Sequence, residues 1–385
     1  MSQIDQLIQQ YCPNGIVFKK LGEVCEIEDN KRKPVASSLR ITGTIPYYGA
    51  NNIQSFVEGF THDGEYVLIA EDGSASLESY SIQFATGKFW ANNHVHVIRG
   101  RSKLDNRFLY HYLGTVNFTP YLTGGTRAKL NQGKMLEIEI PLPPLEVQHE
   151  IVRVLDLFHE LEAELEAELE ARKKQYAQYR RGLLEFDVDD EGIDFARLGE
   201  IAHFANAKAH ERVVDPDGDI ALLTSRFIST QGRMARFVNR ADVKTPALKD
   251  QTALVMSDLP NGRALARAFY IDQDDKYAAN QRVCLIDPID PTVLIPRFLY
   301  YILDRNPQLL KYDSGVDQTH LSKDQILGVE IPIPPVDEQE RIVEILDKFE
   351  LLVNDLSVGL PAELNARRKQ YEYYRDRLLT FEEVA

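Results

Sequence analysis

A chain of 385 residues, 44% hydrophobic and 27% charged with 22 Gly and 18 Pro, has the composition of a soluble globular protein of two or three domains, which excludes collagen-like, mucin-like and wholly disordered classes. Its net charge of −15 argues, taken whole, against a polyanionic partner, but residues 141–190 and 332–385 carry −7 and −5 of it, so the two larger segments can still present basic faces. No apolar run approaches the ~18 residues of a membrane span, and the start MSQIDQLIQQY lacks the basic and apolar stretches of a signal peptide. A cytoplasmic location is expected, with no membrane contact and with Cys12, Cys25 and Cys284 as reduced thiols.

In chain order, IDQLI from Ile4 reads as a short helix end, and EYVLIAEDGS from Glu65 and HVHVIRG from His94 as strands running into turns. RFLYHYL from Arg107 reads as a helix, and Pro143-Pro144 stops a strand and sets the start of a long helix. Ile151, Leu155, Phe158, Leu161, Leu165, Leu169, Tyr176, Tyr179 and Leu183 then recur at spacings of three, four or seven, the seam of a helix packed on a partner helix. Within it, LEAELEAELEA from Leu161 has a tetrad period. TALVMSD from Thr252 is a further strand, RFLYYIL from Arg297 a further helix, and Pro334-Pro335 precedes a second seam through Ile342, Leu346, Phe349, Leu352, Leu356, Leu364, Tyr371, Tyr374 and Leu378. Gly359 and Pro361 should kink or interrupt that second helix.

An internal repeat organises these elements. IPLPPLEVQHEIVRVLD from Ile140 matches IPIPPVDEQERIVEILD from Ile331 at nine of seventeen positions, and ARKKQYAQYRRGLL from Ala171 matches ARRKQYEYYRDRLL from Ala366 at nine of fourteen. FKKLGEV from Phe18 repeats as FARLGEI from Phe195, whereas residues 25–120 and 202–312 barely align. The reading is therefore of an α+β protein with a first globular domain at 1–145, a first helical connector at 146–186, a second globular domain at 187–336 and a second helical connector at 337–385. Two long helices with matched seams most simply pair antiparallel and hold the domains in a pseudo-two-fold arrangement. The alternative is that each helix packs on its own domain.

The chain has no phosphate loop, no cofactor-binding GxGxxG and no amino-methylation motif, so autonomous ATP or methyl-donor chemistry is not expected. Pro216-Asp217 with Asp242-Val243-Lys244 fits a loose nuclease pattern but sits in a turn-like DPDGD and reads as a solvated turn. His94 and His96 alternate along a strand with no third ligand nearby and read as structural. Several loops mix cations, amides and aromatics, the groups that phosphates and base edges require. In the first domain these are Lys31-Arg32-Lys33, Tyr47-Tyr48 with Asn51-Asn52, and the segment holding Arg127 and Lys129. In the second they are Arg226, Arg233 and Arg236, Arg263 with Arg267, and Asn280-Gln281-Arg282. Each alone is an ordinary surface loop; together with the duplicated frame they favour DNA. The rival reading is a two-headed coiled-coil scaffold joining protein partners, separable by duplex binding that weakens steeply with salt.

The starts IPLPPLEVQHEIV and IPIPPVDEQERIV, the helices ARKKQYAQYRRGLL and ARRKQYEYYRDRLL, and the segments IPYYGANNI, GEYVLIAEDGS and VMSDLPNGRALARAFYID resemble the DNA specificity subunit of type I restriction-modification systems. The resemblance covers essentially the whole chain. It implies two target-recognition domains and a non-catalytic subunit that reads a split, asymmetric double-stranded DNA site, with one half per domain and the helices setting the gap. It also implies assembly with two modification subunits that methylate adenine with S-adenosylmethionine, and with restriction subunits that translocate and cut with ATP and Mg²⁺. No cofactor or metal is expected in this chain itself.

Overall fold

The computed structural model describes residues 3–124, 128–187, 192–259, 264–313, 315–354 and 358–384. The chain divides into two units, Met1–Glu168 with Ala362–Ala385, and Leu169–Pro361.

In the first unit, one antiparallel sheet has the order Cys25–Ile27, Val95–Gly100, Tyr66–Ala70, Ile82–Ala85. The second has the order Asn52–Val57, Thr42–Gly49, Lys88–Ala91, His62–Asp63, with its two central strands parallel through Tyr47 opposite Trp90 and Tyr48 opposite Ala91. Tyr66–Ala70 is buried throughout because it is covered on both faces, which is why it reads as an unbroken apolar run. Tyr66 and Leu68 pack with Phe89, Val95 and Val97. Val67 and Ile69 face the opposite way, toward Phe108, Leu109 and Leu113 of the helix Asn106–Leu113.

The second unit repeats this plan strand for strand. Its first sheet runs Ala202–Asn206, Val283–Pro288, Thr252–Val255, Ala268–Tyr270, and its second Phe237–Val238, Ile220–Leu223, Tyr277–Ala279, Pro246–Ala247, again with a parallel central pair. The helix Pro296–Leu303 covers the first sheet as Asn106–Leu113 does in the first unit. Although residues 25–120 and 202–312 barely align, their topology is duplicated along with the frame, since packing needs only apolar side chains in the right alternation.

The long helix Leu145–Leu184 has 40 residues, a rise of about 60 Å. Its first turns belong to the first core, where Val147, Ile151 and Leu155 are fully buried. Farther along, Phe158 packs on Tyr371 and Tyr374, and Glu162 and Glu166 pair with Arg368, so this stretch and the terminal helix Leu360–Leu379 run antiparallel. In the second unit Ile342 and Leu346 of the helix Val336–Asn354 enter the second core, while its Phe349 meets Tyr176 and Tyr179. Both readings of the seam thus hold in part: Leu145–Leu184 and Val336–Asn354 each dock on a domain over their first turns and on another helix beyond, while Leu360–Leu379 reaches the first core at its end through Leu378 and Leu379. The second connector is interrupted as its glycine suggested. Gly359 has φ +83°, and a Cβ there would lie 2.6 Å from the Leu351 carbonyl oxygen.

The frame is held by repeated polar clamps that sequence reading missed. Buried Gln148 accepts from the Asp105 N–H at 2.8 Å and donates to the carbonyls of Lys103 and Pro143 at 2.9 and 2.7 Å. Gln339 accepts from Ile295 N–H at 2.9 Å and donates to Val293 and Pro334 at 2.9 and 2.8 Å. Arg107 Nε meets Asp156 at 2.9 Å, and Arg297 Nε meets Asp347 at 2.8 Å. Among the described residues no helix is long and apolar enough to cross a membrane.

Candidate nucleic-acid interface

Two of the candidate segments, alike only in composition, flank or occupy the same connection in the shared topology. Ala50-Asn51, flanked by Tyr47, Tyr48 and Asn52 in the adjoining strands, connects the paired strands Thr42–Gly49 and Asn52–Val57, and the segment holding Arg226–Arg236 connects the paired strands Ile220–Leu223 and Phe237–Val238.

In the first domain this connection is built inward. Tyr47 is buried, its hydroxyl accepting from the Val35 N–H at 3.0 Å and its ring lying 3.9 Å beneath the Arg40 guanidinium. Tyr48 is half-buried and edge-on to Phe89. Asn51 is exposed, but its carboxamide is used, donating to the Gly73 carbonyl at 2.7 Å and accepting from the Ala75 N–H at 2.8 Å. Asn52 sits at the exposed tip with φ 122° and caps its own neighbour, Ile53 N–H, at 2.9 Å. Arg32 is also committed, to Glu71 and the Val95 carbonyl at 2.7 Å each and to the Asp29 carbonyl at 3.0 Å. Lys129 meets the other oxygen of Glu71 at 2.8 Å. Burial pushes the Glu71 carboxyl up, but the bonds from Lys129 and Arg32 outweigh it and hold the group below its ordinary value. Lys33 is exposed and in no ion pair among the described residues. Arg127 lies outside the described residues.

In the second domain the same connection is built outward. Thr224 caps the helix Ser225–Ser229 by accepting from the Phe227 N–H, and Gln231 at φ 51° and Gly232 at φ 81° turn the chain. Arg226, Arg233 and Arg236 are exposed, and among the described residues none is in an ion pair. Arg226 Nε lies 3.0 Å from Met234 Sδ, and Arg233 Nε donates to the Thr230 carbonyl at 3.1 Å, contacts that brace the stems. Arg267 is exposed with a distant partner, Asp304 at 3.8 Å. Arg263 lies outside the described residues.

A second pair of equivalent turns mixes cations and amides in one domain only. Asn280 is buried, accepts from the His210 N–H at 2.9 Å and donates with Gln281 to Glu211, at 3.0 and 2.7 Å. Arg282 follows, exposed, at φ 73°. The first domain has the same turn in Ala91-Asn92-Asn93-His94-Val95, matching Ala279-Asn280-Gln281-Arg282-Val283. Asn92 N–H bonds the Tyr48 carbonyl and Asn280 N–H the Leu223 carbonyl, both at 3.2 Å. The signal was a five-residue pattern recurring inside interiors that otherwise do not align. Exposed Asn93 and half-exposed His94 join the candidates on this ground.

His94 and His96 do not form a pair: each takes its own carboxylate, Asp72 and Asp29, at 2.6 Å. The Lys244 ammonium donates to the Ala209 carbonyl at 3.0 Å, and Asp217 lies in an exposed turn. The surface chemistry is thus of cations and amides on braced turns, suited to phosphate oxygens and base edges.

A family model described as the type I restriction modification DNA specificity domain matches residues 13–171 and again 191–366. A putative type I restriction enzyme specificity subunit of Haemophilus influenzae is 42% identical over 95% of this chain and 96% of its own length. The specificity subunit of an Escherichia coli type I restriction enzyme is 27% identical over 99% and 97%. In fold, the crystal structure of a type I restriction-modification S subunit from M. genitalium matches at a TM-score of 0.58 with 16% identity, covering 94% of this chain and 95% of that one.

Proposed function

The chain belongs to the type I restriction modification DNA specificity family and is its recognition subunit rather than an enzyme, and from that premise we propose that it reads a split, asymmetric duplex site, one half per globular domain. The observation that carries the proposal is the pair of domains with one strand order and different side chains on equivalent turns. One topology presenting two surfaces suits two unlike half-sites. Family membership leaves the two-headed scaffold reading without support.

As a specificity subunit the chain assembles with other subunits of its restriction-modification system. In our reading these are two modification subunits and the restriction subunits, which carry S-adenosylmethionine, ATP and Mg²⁺, and the assembly works in the cytoplasm. The long helices set the spacer between half-sites.

The test replaces residues 25–120 with the equivalent segment of another specificity subunit and maps methylated adenines in cells supplying the other subunits. One half of the methylated sequence should change and the other stay. A change in both halves would sink the one-domain, one-half reading.

A further inference from the structure

We propose that His111, Asp156 and His159 form a site in the first unit for one divalent transition-metal ion of the zinc class, joining the helix Asn106–Leu113 to the long helix. The inference is independent of the DNA reading.

Asp156 and His159 are three residues apart on the long helix and so share a face, which the last turn of Asn106–Leu113 meets with His111. One donor atom from each of the three lies within 4.8 Å of the others, the one group of this kind among the described residues. His111 Nε2 is 2.7 Å from Asp156 Oδ1, and the two imidazole centroids are 5.3 Å apart. A tetrahedral zinc with bonds of about 2.0–2.1 Å needs donors about 3.3 Å apart, so the carboxylate contact opens by a few tenths of an ångström and His159 swings inward. Two imidazoles and one carboxylate leave a position for water, the donor set of a borderline metal rather than of Ca²⁺ or Mg²⁺. Arg107, whose Nε reaches both Asp156 oxygens at 2.9 and 3.1 Å, remains to orient the carboxylate behind the ion.

The second repeat supplies the comparison. The positions matching His111, Asp156 and His159 are Tyr301, Asp347 and Glu350. There the Tyr301 hydroxyl shares its one hydrogen between the two carboxylates, and Arg297 donates to both. That network is saturated by the protein itself. In the first repeat, buried His111 meets Asp156 through Nε2, and His159 has no hydrogen bond among the described residues, its ring resting 4.7 Å from that of Tyr371. A structural role alone is better filled by the second repeat's side chains, whereas in the first repeat His159 offers a free lone pair and an ion would take the place of the proton between His111 Nε2 and Asp156.

The experiment titrates the chelator-treated full chain with ZnCl₂ by calorimetry and with Co²⁺ by visible absorption. We expect one ion per chain, a raised melting temperature on binding, and at least ~10-fold weaker binding in H159Q. The double variant H111Y/H159E copies the second repeat's network and should keep the wild-type circular dichroism while losing the ion. If that variant does not fold, the half-exposed H159Q carries the test. Wild-type chain that binds no ion, or binds it no more tightly than H159Q, overturns the proposal.

Discussion

Replacing Gln148 tests whether the repeated glutamine clamps hold each domain on its helix. Gln148 is fully buried and makes three hydrogen bonds, one of them to the backbone of Asp105, the residue whose carboxylate caps Asn106–Leu113 at the N–H groups of Arg107 and Phe108. Gln148→Leu keeps the volume, removes three bonds worth about 1 kcal/mol each and leaves the Asp105 N–H and the Lys103 and Pro143 carbonyls without that partner, so a loss of about 3 kcal/mol or more is expected. Gln148→Glu keeps the acceptor for Asp105 but sets a buried carboxylate against two carbonyl oxygens, and should cost about 5 kcal/mol or more at pH 7. Its native pKa would be raised, so the native state binds the extra proton and stability recovers as pH falls toward about 4.3; the Leu variant should show no such recovery. The chain's single tryptophan, Trp90, lies in the first unit, so its fluorescence follows that unit during urea unfolding while far-ultraviolet circular dichroism follows both. Gln148→Leu should move the Trp90 transition, and Gln339→Leu should move only the dichroism. A Trp90 transition shifted by less than about 0.5 kcal/mol in Gln148→Leu, or a Glu variant more stable than the Leu variant at pH 7, refutes the reasoning.

Inserting one Leu-Glu-Ala-Glu unit within 161–171 adds about 6 Å of rise and about 40° beyond one turn; mapped methylated adenines should show unchanged half-sites with the spacer altered by one or two base pairs. Altered bases at a fixed spacer would contradict the ruler. Arg233→Ala and Arg236→Ala should each weaken duplex binding, by about 1–3 kcal/mol at one sequence position for a base contact, or with a salt slope lower by about 1 for a phosphate contact. Arg32→Ala should instead destabilise the first unit, by about 2–3 kcal/mol in the Trp90 transition. Because Lys129 and Arg32 hold Glu71 below its ordinary pKa, its stabilisation is present above about pH 4.3 and lost as pH falls through the native value. Glu71→Gln should therefore flatten the acid limb of stability between about pH 5 and 3 and start from a lower stability at pH 7.

The duplication, the α+β class, the helix starts after Pro143-Pro144 and Pro334-Pro335 and the interruption at Gly359 are all legible along the chain. These are signals of local stereochemistry and of periodicity in adjacent residues, and they survive in a single chain. Composition alone also marks candidate side chains on equivalent connections in the two domains. Which of these side chains are available depends on partners that folding brings to them. Arg32, Tyr47 and Asn280 have the same composition signal as Arg233 or Lys33, but they are bound to Glu71, Val35 and Glu211, partners 12 to 69 residues away. The same holds for Gln148 and Gln339, which stand in the recognised repeat yet act on carbonyls brought to them by folding. It holds again for His111, 45 residues from the aspartate it meets. Periodicity reports which face of an element is buried, because that follows from neighbours along the chain. Whether a polar group on that face is satisfied or left over depends on distances across the fold, and no local pattern encodes those.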